Sequence, residues 1–352
     1  MSAPTDDLVR RTRDQADACA DLGSPLYHHL LHRVADDVVA GGPALEVLRG
    51  HEDDPGPHAV ALRLMGGVHR LVLERRAPAL ALTFPSVGGT GDADAAWTAL
   101  REVLEEHRDE LREALRQAPQ TNEVGRAAGL VGGLMHVVAE RPAAVRLLEI
   151  GASAGLNLRA DRFRIDLAGG RSVGPASSPV VLADVWRGSV PPVDVGLMVV
   201  ERAGCDSAPV DVGSTGGRLV LTSYVWPDQV DRLARLRGAF EVAAAVPARL
   251  DRAGAADWLD QVDLRDGTTT VLWHSIMWQY LDRAERDRAA ARIEQLGDTA
   301  TADAGFAHLA LEPLRRTPDS VYEVLLTLRV WPGAEERTLG VSRGHGIPTT
   351  WE

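Results

Sequence analysis

Leu147-Leu148-Glu149-Ile150-Gly151-Ala152-Ser153-Ala154-Gly155-Leu156-Asn157 decides the fold. A short apolar run breaks into a glycine turn and then restarts as a helix, which is the shape of a nucleotide pocket. Glycines let the backbone approach a ligand where any Cβ would collide, and an acidic residue near the strand end can hold a ribose hydroxyl. The expected cofactor contacts are Glu149, Gly151, Ser153, Gly155 and Asn157.

The rhythm of the chain changes at this turn. Upstream, residues 22–40, 58–75 and 92–116 carry apolar side chains at helical spacing, and no strand is predicted. A further helix is predicted over 122–140, with Val124, Ala128, Val131, Met135 and Val138 as its apolar stripe. From Arg146 onward, short apolar runs at 146–150, 196–200, 219–224, 240–245, 269–274 and 308–311 alternate with helical segments at 227–237, 255–262 and 282–296. Such alternation predicts a mostly parallel sheet covered by helices. The runs 321–331 and 337–343 flank Pro332-Gly333-Ala334 and read as an antiparallel hairpin closing the sheet. The fold class is α/β and Rossmann-like, with an all-helical N-terminal cap over 1–140 and the α/β domain over 141–352.

Composition narrows the partners. With 352 residues, 45% of them hydrophobic, the chain can bury a large core and hold two domains. No apolar run approaches the ~20 residues that a membrane helix needs. Residues 1–13 are charged and lack a hydrophobic region, so neither secretion nor anchoring is expected. Two cysteines, Cys19 and Cys205, build no disulfide framework and suit the cytoplasm. The net charge of -12 disfavours nucleic acid and favours a small-molecule substrate, with an oligomer or protein partner left open. All 38 basic residues are arginines, which excludes Schiff-base chemistry, pyridoxal phosphate attachment and the lysine-dependent phosphate loop.

Ligands of open α/β sheets sit beyond the carboxyl ends of the strands, where strand order reverses. Two more segments are assigned to that rim: Gly204-Cys205-Asp206-Ser207-Ala208-Pro209 and Trp273-His274-Ser275-Ile276-Met277-Trp278. Asp206 is a candidate ribose ligand or a turn cap, and His274 a candidate acid or base or a hydrogen-bonded core histidine. An acidic ribose ligand normally follows the glycine turn by about 20 residues. Asp206 comes much later, so either 159–192 is an insertion or Asp161 or Asp166 takes the ribose. Asn122, Glu123 and Arg126 open the helix that leads into the turn; Glu123 and Arg126 are a candidate base and substrate ligand, or a surface pair. Trp226 and Asp228 lie in Tyr224-Val225-Trp226-Pro227-Asp228-Gln229, where the bland readings are a core ring and a helix cap.

His28 and His32 are one helical turn apart and Asp36 a further turn on, a spacing that zinc tolerates. A helix surface supplies that spacing by chance and no distant partner is identifiable, so no metal is expected. Gly151-x-Ser153-x-Gly155 also matches a serine-hydrolase elbow, with Asp206 and His274 in the right order. No strands precede it, however, and no His-Gly-Gly segment does either.

The spacing Glu149-x-Gly151-x-Ser153-x-Gly155 resembles the first motif of class I S-adenosylmethionine (SAM) dependent methyltransferases, with Ser153 replacing the middle glycine. Ser24-Pro25-Leu26-Tyr27, Val68 to Leu73, Pro85-Ser86-Val87-Gly88-Gly89, Thr121 to Arg126, Glu149 to Asn157, Val225 to Gln229 and His274 to Tyr280 resemble the DUF2332 family of uncharacterised actinobacterial proteins. That resemblance covers nearly the whole chain and brings no established activity. It implies a methyltransferase-like fold with an added helical domain. The expected function is a small-molecule-modifying enzyme performing nucleophilic substitution at carbon, most simply SAM-dependent methyl transfer. Catalysis is assigned to His274, Glu123 and Asp228, and substrate binding to Arg70, Asn122, Arg126, Trp226 and Trp278. The alternatives are a SAM-independent enzyme closing a ring by amine displacement, a non-catalytic partner subunit, and the Ser153 hydrolase.

Overall fold

The computed structural model of the chain describes residues 3–55, 59–333 and 335–352; the expectations touching Met1, His58 and Ala334 lie outside them. Two compact units emerge: Met1–Thr121 with Ser214–Leu233, and Asn122–Gly213 with Ala234–Glu352.

The first unit is helical. Its helices include Ala3–Asp21, Pro25–Val39, Pro43–Leu48, Val60–Leu73 and Ala93–Glu106. Proline stands at the start of two of these, where its missing N–H is no loss. Ser24 and Asp92 cap exposed amides at Tyr27 and at Asp94 and Ala95. Leu30, Leu31, Leu64, Met65, Phe84 and Leu100 are fully buried between the helices. The run 219–224, expected as a strand, forms the end of the helix Thr215–Ser223 and its C-cap Tyr224; Ser214 caps the start. That helix packs on Val60–Leu73 at Gly66, where a Cβ would come within 2.7 Å of the Tyr224 ring.

The second unit carries the sheet. Its strands are β1 (Ala144–Ile150), β2 (Arg164–Asp166), β3 (Ser172–Val173), β4 (Val181–Ala183), β5 (Trp186–Gly188), β6 (Val199–Asp206), β7 (Arg249–Arg252), β8 (Thr268–Ser275), β9 (Ala304–Leu314), β10 (Glu323–Trp331), β11 (Arg337–Ser342) and β12 (Thr349–Trp351). The large sheet runs β5-β12-β11-β10-β9-β8-β1-β6-β7. The five strands from β9 to β7 are mutually parallel, and the order reverses between β1 and β8. The hairpin β10–β11 is antiparallel as expected, yet β12 and β5 extend the sheet beyond it. β2, β3 and β4 form a separate small sheet within 159–192. The run 240–245 ends the helix Val230–Ala245 instead of forming a strand, and β6 starts at Val199, later than the run 196–200. β7, with the sequence Arg-Leu-Asp-Arg, has no apolar run to announce it.

The helix Ala127–Glu140 belongs with this sheet, and the division between the units falls at 121/122, not at 140. Glycines bring it down onto the strands: a Cβ on Gly133 would stand 2.5 Å from Leu309, and Gly132 faces the Trp351 ring. Side chains alternate along each strand. Leu147, Glu149, Trp273 and Leu309 therefore face this helix. Leu148, Leu272, His274 and Phe306 face the opposite side, where Leu148, Leu272 and Phe306 join a core with Trp258, Ala289 and Ile293.

Candidate functional site

The rim is built where β1 and β8 part, the place at which a doubly wound sheet opens a crevice. Gly151, Ser153 and Gly155 all take positive φ (66°, 52° and 65°), which costs a glycine little and a serine more. The turn is held from two sides. Asp206, at the end of β6, accepts the Ser153 N–H at 2.8 Å and the Ala208 N–H at 2.9 Å. Asn122 Oδ1 accepts the Leu156 N–H at 3.0 Å, and Asn157 donates to the Glu123 carbonyl at 3.2 Å. The Glu123 carboxylate caps its own short turn by accepting the Gly125 N–H at 2.9 Å. The segment 122–126 and the glycine turn are thus one knitted structure. Asp206→Ala is expected to lower the unfolding free energy by about 2 kcal/mol, through loss of two charge-assisted hydrogen bonds. An unchanged urea midpoint would show those amides to be satisfied otherwise.

Beneath the turn lies a buried polar group. Glu149 is 2% exposed and sits beside Trp273 in register. Burial pushes its carboxyl up to about 8, while the Arg126 and Arg159 charges pull against that rise. The Trp273 indole hydrogen-bonds weakly toward the carboxyl and lowers it a little, but Trp273 Nε1, Glu149 Oε2 and Asn157 Oδ1 all lack a well-formed hydrogen bond. Arg159, 5% exposed, donates to the Gly155 carbonyl at 2.7 Å and the Val246 carbonyl at 2.9 Å. Arg126 donates to the Ser275 carbonyl at 2.8 Å and the Gly344 carbonyl at 3.3 Å, tying the end of β8 to the loop before β12.

The other side of the sheet carries an ordered chain of titratable groups. His274 Nδ1 lies 2.7 Å from Glu312 Oε1, and His274 Nε2 lies 2.9 Å from His308 Nε2. The Trp278 ring stacks on His274 with centroids 5.0 Å apart. Glu312 Oε1 also accepts the Met277 and Trp278 amides at 3.1 and 3.3 Å, which anchors the loop after β8. Burial, helped by His274 and Arg329, pushes His308 down to about 3, so that ring is neutral. Two Nε2 atoms in hydrogen-bond contact require one ring to donate and the other to accept. Carboxylate and rings therefore form one hydrogen-bonded chain in which the donor and acceptor roles of the two rings are fixed together.

Ile276, a β-branched residue, takes φ +48° immediately after β8, and Asn122 takes +29°. With Ser153, three non-glycine residues in the left-handed region surround these strand ends, and such strain collects where geometry serves a ligand. Met277 from the same loop packs on Gly151, where a Cβ would come within 2.8 Å of its side chain.

Eleven of the residues singled out from the sequence, Asn122, Glu123, Arg126, Glu149, Gly151, Ser153, Gly155, Asn157, Asp206, His274 and Trp278, thus come together around the ends of β1, β6 and β8. Glu149 and His274 face opposite sides of the sheet. Asp161 is engaged by Arg202 at 2.5 Å and Asp166 by Arg164 at 2.6 Å. Arg70, Trp226 and Asp228 lie in the helical unit. There Arg70 pairs with Glu74 at 2.8 Å and lines a cavity of about 240 Å³ with Glu110 and Tyr224. Trp226 is a core ring, 6% exposed. Asp228 accepts the Ser24 hydroxyl at 2.6 Å and the Leu26 N–H at 3.0 Å, capping the helix Pro25–Val39. Glu312, His308 and Arg159 escaped the sequence reading. The spacing His308-x-x-x-Glu312 on one strand, which puts both on one face, was the available signal.

These features define an α/β protein with a large, mostly parallel, Rossmann-like sheet and a rim of buried titratable groups at its order reversal. The family described as uncharacterized protein conserved in bacteria (DUF2332) matches residues 9–351, and the chain belongs to it. No curated protein matches the chain. Among the described residues, no helix is long and apolar enough to cross a membrane.

Proposed function

We propose that the chain is a small-molecule-modifying enzyme performing nucleophilic substitution at carbon, in its simplest form SAM-dependent methyl transfer. The observation that carries this reading is the glycine turn at the reversal of a parallel sheet whose order, β7-β6-β1-β8-β9, is that of a nucleotide-binding half-sheet with its acid on the neighbouring strand. Glu149 Oε2, Trp273 Nε1 and Asn157 Oδ1, buried beneath the turn without a well-formed hydrogen bond, keep polar capacity that a ligand reaching into the turn would use. Gly151, Ser153 and Gly155 would border it, and Asp206, each of whose oxygens keeps a second lone pair, would take its ribose. SAM supplies a methyl group on sulfur that is already a good leaving group. The protein then has mainly to align the acceptor and receive its proton. His274 Nε2 would receive it on giving up its contact with His308, with Glu312 holding the ring through Nδ1 and Trp278 fixing its plane.

A second reading keeps the rim and dispenses with the cofactor: ring closure by intramolecular displacement. An amine forms the C–N bond and loses its proton to the same histidine, while the bond to an anionic leaving group breaks and Arg126 receives the anion. Two observations favour it. Met277 rests on Gly151, and both Asp206 oxygens already accept backbone amides. The hydrolase reading wants strands before its elbow, and among the described residues β1, which leads into Ser153, is the first strand.

Calorimetric titration of the full chain with SAM tests the choice. Saturable binding, weakened in Asp206→Asn, is the expected result; no heat and no thermal shift remove the first reading and leave the second. Once turnover is in hand, His274→Gln and Glu312→Gln are each expected to lower kcat about a hundredfold or more. Unchanged kcat in both would remove His274 and Glu312 from the mechanism.

A further inference from the structure

We propose that Asp17, His28 and His32 form a binding site for a divalent transition-metal ion on the helical unit. His28 and His32 stand one turn apart on the helix Pro25–Val39 and so share a face. From sequence they lacked a ligand from elsewhere in the chain, and Asp36, one turn further on, is turned to Arg13 at 2.9 Å. The fold brings the missing ligand from the helix Ala3–Asp21. Asp17 Oδ1 lies 3.0 Å from His32 Nε2 and 3.6 Å from His28 Nδ1. One donor atom from each of the three residues lies within 4.8 Å of the others. Tetrahedral zinc with bonds of ~2.0–2.2 Å holds its donors ~3.4 Å apart, so His32 and Asp17 are already at ligand spacing and small side-chain rotations complete the set.

The surroundings suit coordination. His28 Nδ1, the nitrogen that faces Asp17, also lies 3.1 Å from the Ala16 carbonyl; coordination through it takes the tautomer protonated at Nε2 and gives up that hydrogen bond. The two rings meet edge to face at 4.6 Å, close enough for one ion to join them. All three side chains are reached by solvent, so water completes the coordination sphere. Two imidazoles and one carboxylate select zinc and its first-row neighbours over magnesium or calcium, which prefer all-oxygen sites. An ion here bridges two helices and raises the stability of their pairing by mass action.

Titration of the full chain with zinc chloride, read by calorimetry and by thermal unfolding, tests the proposal. One saturable equivalent and a rise in the unfolding midpoint are expected. Asp17→Asn should weaken binding about tenfold or more, and the double variant His28→Gln with His32→Gln should abolish both effects. The three positions are on the surface, and circular dichroism confirms that the variants fold. No saturable binding to the unaltered chain, or binding undiminished in the double variant, overturns the assignment.

Discussion

Glu149→Gln is expected to make the protein more stable at about pH 7.5, by on the order of 3 kcal/mol, and to change little at about pH 4.5. Burial raises the folded-state carboxyl from 4.5 to about 8. The contribution of its bound proton is complete below the unfolded value and is lost as pH rises through the folded one, because the unfolded chain releases that proton first. Glutamine keeps the shape and never ionises. Urea unfolding of both proteins across this range measures the difference, and parallel pH profiles would show that Glu149 is solvated enough to ionise normally. On the acid side the sign reverses. His69 and His308 are pushed down to about 4 and about 3, so below about pH 6.5 the unfolded chain takes up protons that the folded one refuses. These three groups together place the stability maximum near pH 6.5.

Gly346→Ala carries the second large effect. Gly346 has φ +77°, and a Cβ there would press on the backbone of Arg126, whose own neighbour Gly125 abuts the His345 carbonyl. Backbone cannot swing aside as a side-chain end can, so the strained dihedral and the clash add. A loss of about 3 kcal/mol or more is expected. Relief of the clash moves Arg126, which holds the end of β8 through the Ser275 carbonyl. The variant should therefore weaken any ligand that binds at the rim even below its unfolding temperature. Wild-type stability with wild-type ligand affinity would mean that the two loops part freely.

Much of the second unit is written in local patterns. The glycine turn, β1, β8, β9 and the β10–β11 hairpin are apolar runs with clear punctuation, and buried strands need little else. The runs 219–224 and 240–245 misled because short apolar stretches carry no period that separates strand from helix. Ser214 before the first and the three alanines ending the second were the local cues for helix. β7 is short and charged because it is an edge strand, with only its neighbour β6 to specify it. The candidate site was legible where turns demand special residues and illegible where tertiary pairing makes the chemistry. His274 reads as one histidine until register sets it beside β9, which supplies Glu312 and His308 from the same face. Asp228 reads as an acid or a cap, and its partners Ser24 and Leu26 lie some two hundred positions away.

The excursion 214–233 has a consequence for anyone dissecting the molecule. Since these residues fold with Met1–Thr121, no single cut yields two intact halves. A fragment ending at 121 would be missing Trp226 from its interior and would leave the Leu26 amide without its carboxylate. Dissection calls for a fragment in which 214–233 is rejoined to 1–121 through a designed linker.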